Sequence, residues 1–275
     1  MKTERIMLGE HTDKFETGAW LDCCFLEHSE DYSRVKRPLI VIFPGGGYYY
    51  TSDREAEPIA RIFMARGYHT AILRYSCNVT HPEPLGNLVL RESALAVQLL
   101  RERAEEYNIE KDNIGIIGFS AGGHAAAAFA TMYQSDAVKE VGISPERCRP
   151  NALMLSYPVI TGDKRYTHEG SFMYLLGNDI PDEEREFWSL ENRVTSDCPP
   201  TFIWSTANDN CVPIMNSILF TSALAKNGIP FESHIFPDGV HGLSTALADV
   251  YCEELPYINR WTDLCLKWLK TLFVF

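Results

Sequence analysis

The sequence predicts an α/β protein with a mostly parallel central sheet and helices on both faces. Three observations predict it. Short apolar runs bounded by turn residues alternate with longer segments of helical period. Several of those runs are continuous rather than alternating, as strands covered on both faces must be. No repeat of about 20 to 50 residues and no low-complexity linker interrupts the alternation.

In chain order, the expected strands are Trp20–Leu26, Leu39–Phe43, Thr70–Tyr75, Ile114–Phe119, Ala152–Tyr157, Thr201–Ser205 and Phe231–Phe236. Each is an apolar run short enough for a core strand and closed by turn residues. Between them, Asp53–Arg66, Leu88–Tyr107, Ala121–Tyr133, Pro213–Lys226 and Pro256–Leu272 carry helical spacing. Pro213 stands near the start of its helix and Gly228 just past its end, where a missing N–H and a free φ are best tolerated. Strand and helix in alternation imply right-handed crossovers. Residues 161–193 break the rhythm: the stretch is polar, Gly-punctuated and aromatic-bearing, and too long for an ordinary connection. A small cap insertion over one end of the sheet is expected there, within a single domain spanning 1–275.

Composition narrows the function classes. The 275 residues are 45% apolar and 23% charged, an ordinary globular balance that excludes disorder and coiled coil. Lys and Arg number 25 against 37 Asp and Glu, so the net charge is 25 − 37 = −12, without a basic block to offset it. Such a surface repels phosphate backbones and anionic lipid, so neither nucleic acid nor membrane is an expected partner. No apolar run approaches the 18 or so residues of a membrane span, and the opening MKTERIMLGEHTDKF is charged where a signal peptide is apolar; a cytoplasmic protein is expected. Eight cysteines, without a C-x-x-C pair, read as reduced and mostly buried thiols.

The first chemical constellation is Gly118-Phe119-Ser120-Ala121-Gly122, after an apolar strand and before an Ala-rich helix. A Ser forced into a tight strand-to-helix turn needs small neighbours two residues to either side, and the turn lifts its Oγ clear of the sheet. The second is Pro44-Gly45-Gly46-Gly47-Tyr48 at the end of a strand. Three glycines allow N–H groups to face a cavity, as an oxyanion hole requires. A phosphate loop would need a following G-K-[ST] or G-x-G-x-x-G spacing, and neither is present. Asp209 and His241 each follow a strand, at the sheet edge where open α/β sheets build sites. Taken singly, Asp209 could be a helix cap and His241 a polar loop residue. With Ser120 they fall in the order Ser, Asp, His, which this elbow takes in its fold. His124, four residues past Ser120 on the same helix, is expected to face the sheet and not to act as base. Glu27-His28 and His168-Glu169 lack the H-E-x-x-H spacing, so no metal site is expected.

These motifs resemble the α/β-hydrolase fold over the chain from about residue 20 to the end. Within it, PGGGYYY, A-R-G-Y and GFSAGGH are similar to the bacterial acetyl esterase and acetyl xylan esterase-like group, close to the hormone-sensitive-lipase-like esterases. Pro44 stands where the group's usual H-G-G-G carries His. The resemblance implies Ser120, Asp209 and His241 as catalytic residues, the N–H groups of Gly46, Gly47 and Ala121 as oxyanion donors, and no cofactor. It implies a serine ester hydrolase whose partner is a small-molecule ester, foremost an O-acetylated sugar or oligosaccharide. An amidase, peptidase or aryl formamidase of the same fold, or a non-catalytic binding protein on the scaffold, are the alternatives; a homo-oligomer is left open. Tyr48, Tyr49 and Trp188 are the expected substrate-binding residues, with Phe172, Tyr174 and Phe187 bulky enough to help close a small acyl site.

Overall fold

The structure is a computed structural model describing residues 1–31, 35–248, 250 and 255–273. Eight strands form one sheet: β1 (Lys2–Met7), β2 (Trp20–Phe25), β3 (Arg37–Phe43), β4 (His69–Arg74), β5 (Ile109–Phe119), β6 (Ala152–Ser156), β7 (Thr201–Thr206) and β8 (Phe231–Phe236). Their order is β1-β2-β4-β3-β5-β6-β7-β8; β1 and β2 run antiparallel to their neighbours, and every pairing from β4 to β8 is parallel. The helices that frame it are α1 (Glu57–Met64), α2 (Asn87–Glu102), α3 (Ser120–Met132), α4 (Glu169–Leu176), α5 (Asp182–Phe187), α6 (Met215–Lys226) and α7 (Trp261–Leu272).

Alternation along each central strand distributes side chains to two cores. Leu39, Val41 and Phe43 join the core shared with α2, α3 and α6, while Ile40 and Ile42 join the one shared with α1 and α7. Ile203 divides from Phe202 and Trp204 in the same way. Both faces of the sheet are therefore buried, and the strands read as unbroken apolar runs for that reason. Each fully buried Ile or Leu contributes about 1.5–3 kcal/mol.

Seven of the strands lie where the sequence places them, with ends moved by a few residues; β1 was not expected. Only Ile6 of β1 is buried. KTERIM reads as a charged surface segment because this edge strand keeps one face in water. Within 161–193 the chain forms α4, α5 and a short turn at Leu190–Asn192, and it sends Phe172, Leu175, Trp188 and Leu190 into the α2/α3/α6 core. Among the described residues, no helix is long and apolar enough to cross a membrane. Seven cysteines are free thiols and five of them are buried; Cys252 lies outside the described residues.

Candidate active site

The parallel strands all deliver their C-terminal ends to one edge, and Ser120, Asp209 and His241 meet there. Ser120 follows β5 directly, opens α3 and holds φ at 52°, a conformation that a residue with a Cβ adopts only where its surroundings impose it. A Cβ on Gly118 would run into the carbonyl oxygen of Gly122, and one on Gly122 into those of Phe43 and Pro44. These contacts are the physical reason for glycine on both sides of the serine. Ser120 is nearly buried, and its Oγ lies 2.7 Å from His241 Nε2. On the other side of the ring, Nδ1 lies 2.7 Å from Asp209 Oδ2.

Asp209 is held from a third direction. Its Oδ1 accepts the backbone N–H groups of Cys211 and Val212, each at 2.9 Å. Burial pushes its carboxyl up, but the His241 hydrogen bond and charge with these two donors outweigh that and hold it below the usual carboxylate range. The result is an ionised acceptor aimed at one imidazole nitrogen while the other nitrogen faces the serine. Such an arrangement can take a proton from a hydroxyl and hold it.

The glycine turn is fastened to the same edge. Pro44 O accepts the Tyr75 hydroxyl at 2.5 Å, Gly45 N–H donates to Glu55 at 2.8 Å, and Tyr48 O accepts the N–H of Asn78 at 2.8 Å. Gly46 and Gly47 take φ values of 123° and 67°, which glycine alone reaches without strain. Among the described residues, the N–H groups of Gly46 and Gly47 donate to no protein acceptor. The N–H of Ala121 belongs to the first turn of α3, whose donors the helix itself leaves unpaired.

Over Ser120 and His241 opens a cleft of about 330 Å³, walled by Gly46, Gly47, Tyr49, Tyr50, Arg54, Glu55, His168, Tyr174 and Cys211. Tyr49 and Tyr174 face each other with ring centroids 5.3 Å apart. Of the three expected substrate-binding residues, only Tyr49 lines the cleft. Tyr48 and Trp188 must be corrected. Tyr48 turns inward at φ 62° and is buried, its hydroxyl 2.9 Å from His124 Nδ1. Trp188 is buried in the core, and its carbonyl oxygen accepts His124 Nε2 at 3.0 Å. Adjacent positions in a tight turn point in different directions, so a run of three tyrosines cannot all face one cavity. Phe172 is also wholly buried and Phe187 is exposed outside the cleft.

His124 itself has both ring nitrogens engaged away from Ser120, and burial lowers it to about 4. The structure adds residues that the sequence did not single out. Glu55 lies in what reads as the start of a helix, and His168 in the insertion. His168 caps α4 by accepting the N–H of Ser171, and burial followed by the nearby His241 lowers its basicity. Among the described residues, no group of His, Cys, Asp and Glu is placed to hold a metal ion.

A mostly parallel sheet flanked on both faces, with a serine at the strain-held turn after its central strand and an Asp and a His from later strand ends, is the architecture of the α/β-hydrolase fold. The BD-FAE family pattern matches residues 28–224, and the chain belongs to that family. It is similar to endo-1,4-beta-xylanase B of Butyrivibrio fibrisolvens, with 41% identity over 80% of this chain and 34% of that protein. It is also similar to an acetylxylan esterase of Xylanibacter ruminicola, with 30% identity over 85% of this chain and 45% of that protein. The chain thus spans less than half the length of either curated relative. Among solved structures, an acetyl ester-xyloside bifunctional hydrolase from Caldicellulosiruptor lactoaceticus superposes with a TM-score of 0.82 at 35% identity, over 98% of this chain and 96% of that one. A carboxylesterase from Lactobacillus plantarum gives 0.85 at 25% identity, over 98% of both chains.

Proposed function

We propose that this chain is a serine ester hydrolase that removes acetyl groups from O-acetylated sugars or oligosaccharides, xylan fragments foremost. The observation that carries the reading is the unbroken path from Ser120 Oγ through His241 to Asp209, at 2.7 Å in both links, beside donors left without protein partners. His241 Nε2 accepts the Ser120 proton as Oγ bonds to the ester carbonyl carbon. The N–H groups of Gly46, Gly47 and Ala121 stabilise the resulting oxyanion, and Asp209 stabilises the imidazolium. Collapse breaks the bond to the alcohol, which leaves with the proton from His241. Water then repeats the sequence on acyl-Ser120, releasing acetate and restoring the serine.

The sugar assignment rests on the likeness to an acetylxylan esterase and an acetyl ester-xyloside hydrolase and on the cleft. Its volume of about 330 Å³ lies at the small end of ligand sites, and the rings of exposed Tyr49 and half-buried Tyr174 offer flat apolar area with polar tips. Residues 161–193 serve as its cap, contributing His168 and Tyr174 to the wall. The test compares kcat/KM for acetyl, butyryl, octanoyl and palmitoyl nitrophenyl esters and for acetylated xylo-oligosaccharides. We expect a maximum at acetyl, falling several-fold with each added carbon, as a small acyl site requires. A maximum at octanoyl or beyond would overturn the acetyl reading.

A further inference from the structure

A buried carboxylate to which the proposed chemistry gives no role lies directly behind the glycine turn. Glu55 is 3% exposed. Its Oε2 accepts the N–H of Gly45, and its Oε1 accepts the Tyr157 hydroxyl, both at 2.8 Å. The same hydroxyl accepts the N–H of Ser244 at 2.8 Å, three residues past His241. The Tyr157 ring stands edge-on to the imidazole, with centroids 5.0 Å apart at 72°. Glu55 and Tyr157 together link the turn of Gly46 and Gly47 to the loop of His241. Both remote members of the link are held in the left-handed region, Tyr157 at φ 38° and Ser244 at 52°, where residues with a Cβ stay only if their partners over-determine them.

The directions of these hydrogen bonds are informative. A backbone N–H can only donate, and the single proton of the Tyr157 hydroxyl is directed at Glu55 because Ser244 N–H already occupies its oxygen. Glu55 therefore accepts at both oxygens, as a carboxylate does. Burial outweighs Tyr157, Gly45, His241 and Arg54, which act in the opposite direction, and holds its carboxyl above the usual carboxylate range. Among the described residues, no Lys, Arg or His reaches ion-pair distance of it, and the titratable or charged groups around it are Tyr75, Tyr157, Arg54 and His241, with Asp209 on His241.

We propose that Glu55 is a positioning residue for the ester hydrolysis described above: its carboxylate holds the oxyanion turn and the His241 loop in one register and adds a second negative charge to the surroundings of the imidazole. The inference rests on the reading of Ser120, Asp209 and His241 as the catalytic set.

Glu55→Gln keeps the shape, removes the charge and turns an NH₂ toward one of the two donors. Glu55→Asp keeps the charge on a side chain one carbon too short to reach both. Turnover is counted per serine titrated with a fluorophosphonate, so that unfolded protein is not scored. We expect Glu55→Gln to lower kcat by about 10- to 100-fold with KM changed less than about threefold. The acid limb of its pH–rate profile should move to lower pH by about half a unit or more, because an imidazolium loses a nearby anion. Glu55→Asp should lose kcat and leave the limb in place. Tyr157→Phe, which cuts the link to Ser244 and removes one donor from the carboxylate while leaving its charge in place, should lower kcat in its own right, and its loss and that of Glu55→Gln should not multiply in the double variant. Glu55→Gln with kcat within about twofold of wild type or an unmoved limb overturns the proposal. If that variant does not fold, Tyr157→Phe with unchanged kcat overturns it. Absence of fluorophosphonate labelling at Ser120 in the wild type instead overturns the underlying catalytic reading, independently of Glu55.

Discussion

Of the histidines near Ser120, His124 and His241 are used in opposite ways. His124 is on the same helix, wholly buried, with one nitrogen at the Tyr48 hydroxyl and the other at the Trp188 carbonyl. His241 comes from a loop more than a hundred residues away, partly open to the cleft, with one nitrogen at a carboxylate and the other at the serine. The helical histidine joins the glycine turn to the 161–193 segment; the loop histidine joins a nucleophile to an anion. Proximity in sequence thus counts for little, since what an imidazole can do follows from what its two nitrogens face. Neutral partners in a closed core leave a proton without stabilisation, and a buried carboxylate gives it a place to rest.

The comparison breaks first at His241. Replacing it with Gln should lower kcat by about 10⁴- to 10⁶-fold while the protein stays folded. The same change at His124 should leave kcat within about tenfold, since neither of its hydrogen bonds reaches Ser120. Steady-state kinetics on both variants checks this, and a reversal of the two outcomes would reassign the base.

Asp209 sharpens the contrast from the other side of the ring. Asp209→Asn keeps the acceptor oxygen for Cys211 and Val212 but removes the charge opposite the imidazole, and a loss of about 10⁴-fold in kcat with little change in KM is expected. A loss below tenfold, measured on protein of unchanged circular dichroism, would mean that orientation alone, without the anion, suffices.

The smallest effect concerns stability and belongs to His124. Burial lowers it to about 4 in the folded chain against 6.5 in the unfolded one, so between those values the unfolded chain binds the extra proton. Stability attributable to this residue is therefore complete above pH 6.5 and is lost as pH falls toward 4, about 3 kcal/mol in all. Glu92 acts with the opposite sign. Burial raises it to about 7, so the folded chain binds the extra proton between 4.5 and 7, and its contribution declines as pH rises through that range. Urea unfolding at several pH values should show a shallower fall below pH 6.5 in His124→Gln and a steeper one in Glu92→Gln. His124→Gln should also cost about 1–3 kcal/mol near neutrality, for leaving Tyr48 or Trp188 imperfectly paired. Slopes indistinguishable from wild type would show that neither buried group controls the acid response.

Legibility in the sequence follows the range of the forces involved. The central strands β3 to β7 could be read because burial on both faces imposes continuous apolar runs on a few neighbouring residues. β1 could not, since its one buried residue, Ile6, stands among Lys2, Glu4 and Arg5, whereas the opposite edge strand β8 still carries Phe231, Ile235 and Phe236. The elbow at Ser120 was readable because backbone collisions within five residues dictate its glycines. Tyr48 and Trp188 were misplaced because their directions depend on His124, which lies 76 residues from the first and 64 from the second.

From local sequence alone come the alternation of strand and helix, the strained serine turn, the glycine turn and the order Ser, Asp, His, all set by sterics and periodicity over a few residues. The tertiary structure alone decides that Asp209 and Ser120 meet on opposite nitrogens of His241, that His124 finds its partners in Tyr48 and Trp188, and that Glu55 reaches Gly45 and Tyr157. Those outcomes depend on which strand ends become neighbours in the sheet and which groups lose water when its edge is covered. A hydrogen bond between residues 10 or 102 positions apart, as at Glu55, has no counterpart in local composition. It exists only once the parallel strands have brought every C-terminal end to one side, where burial makes an unpaired polar group costly and each partner correspondingly specific.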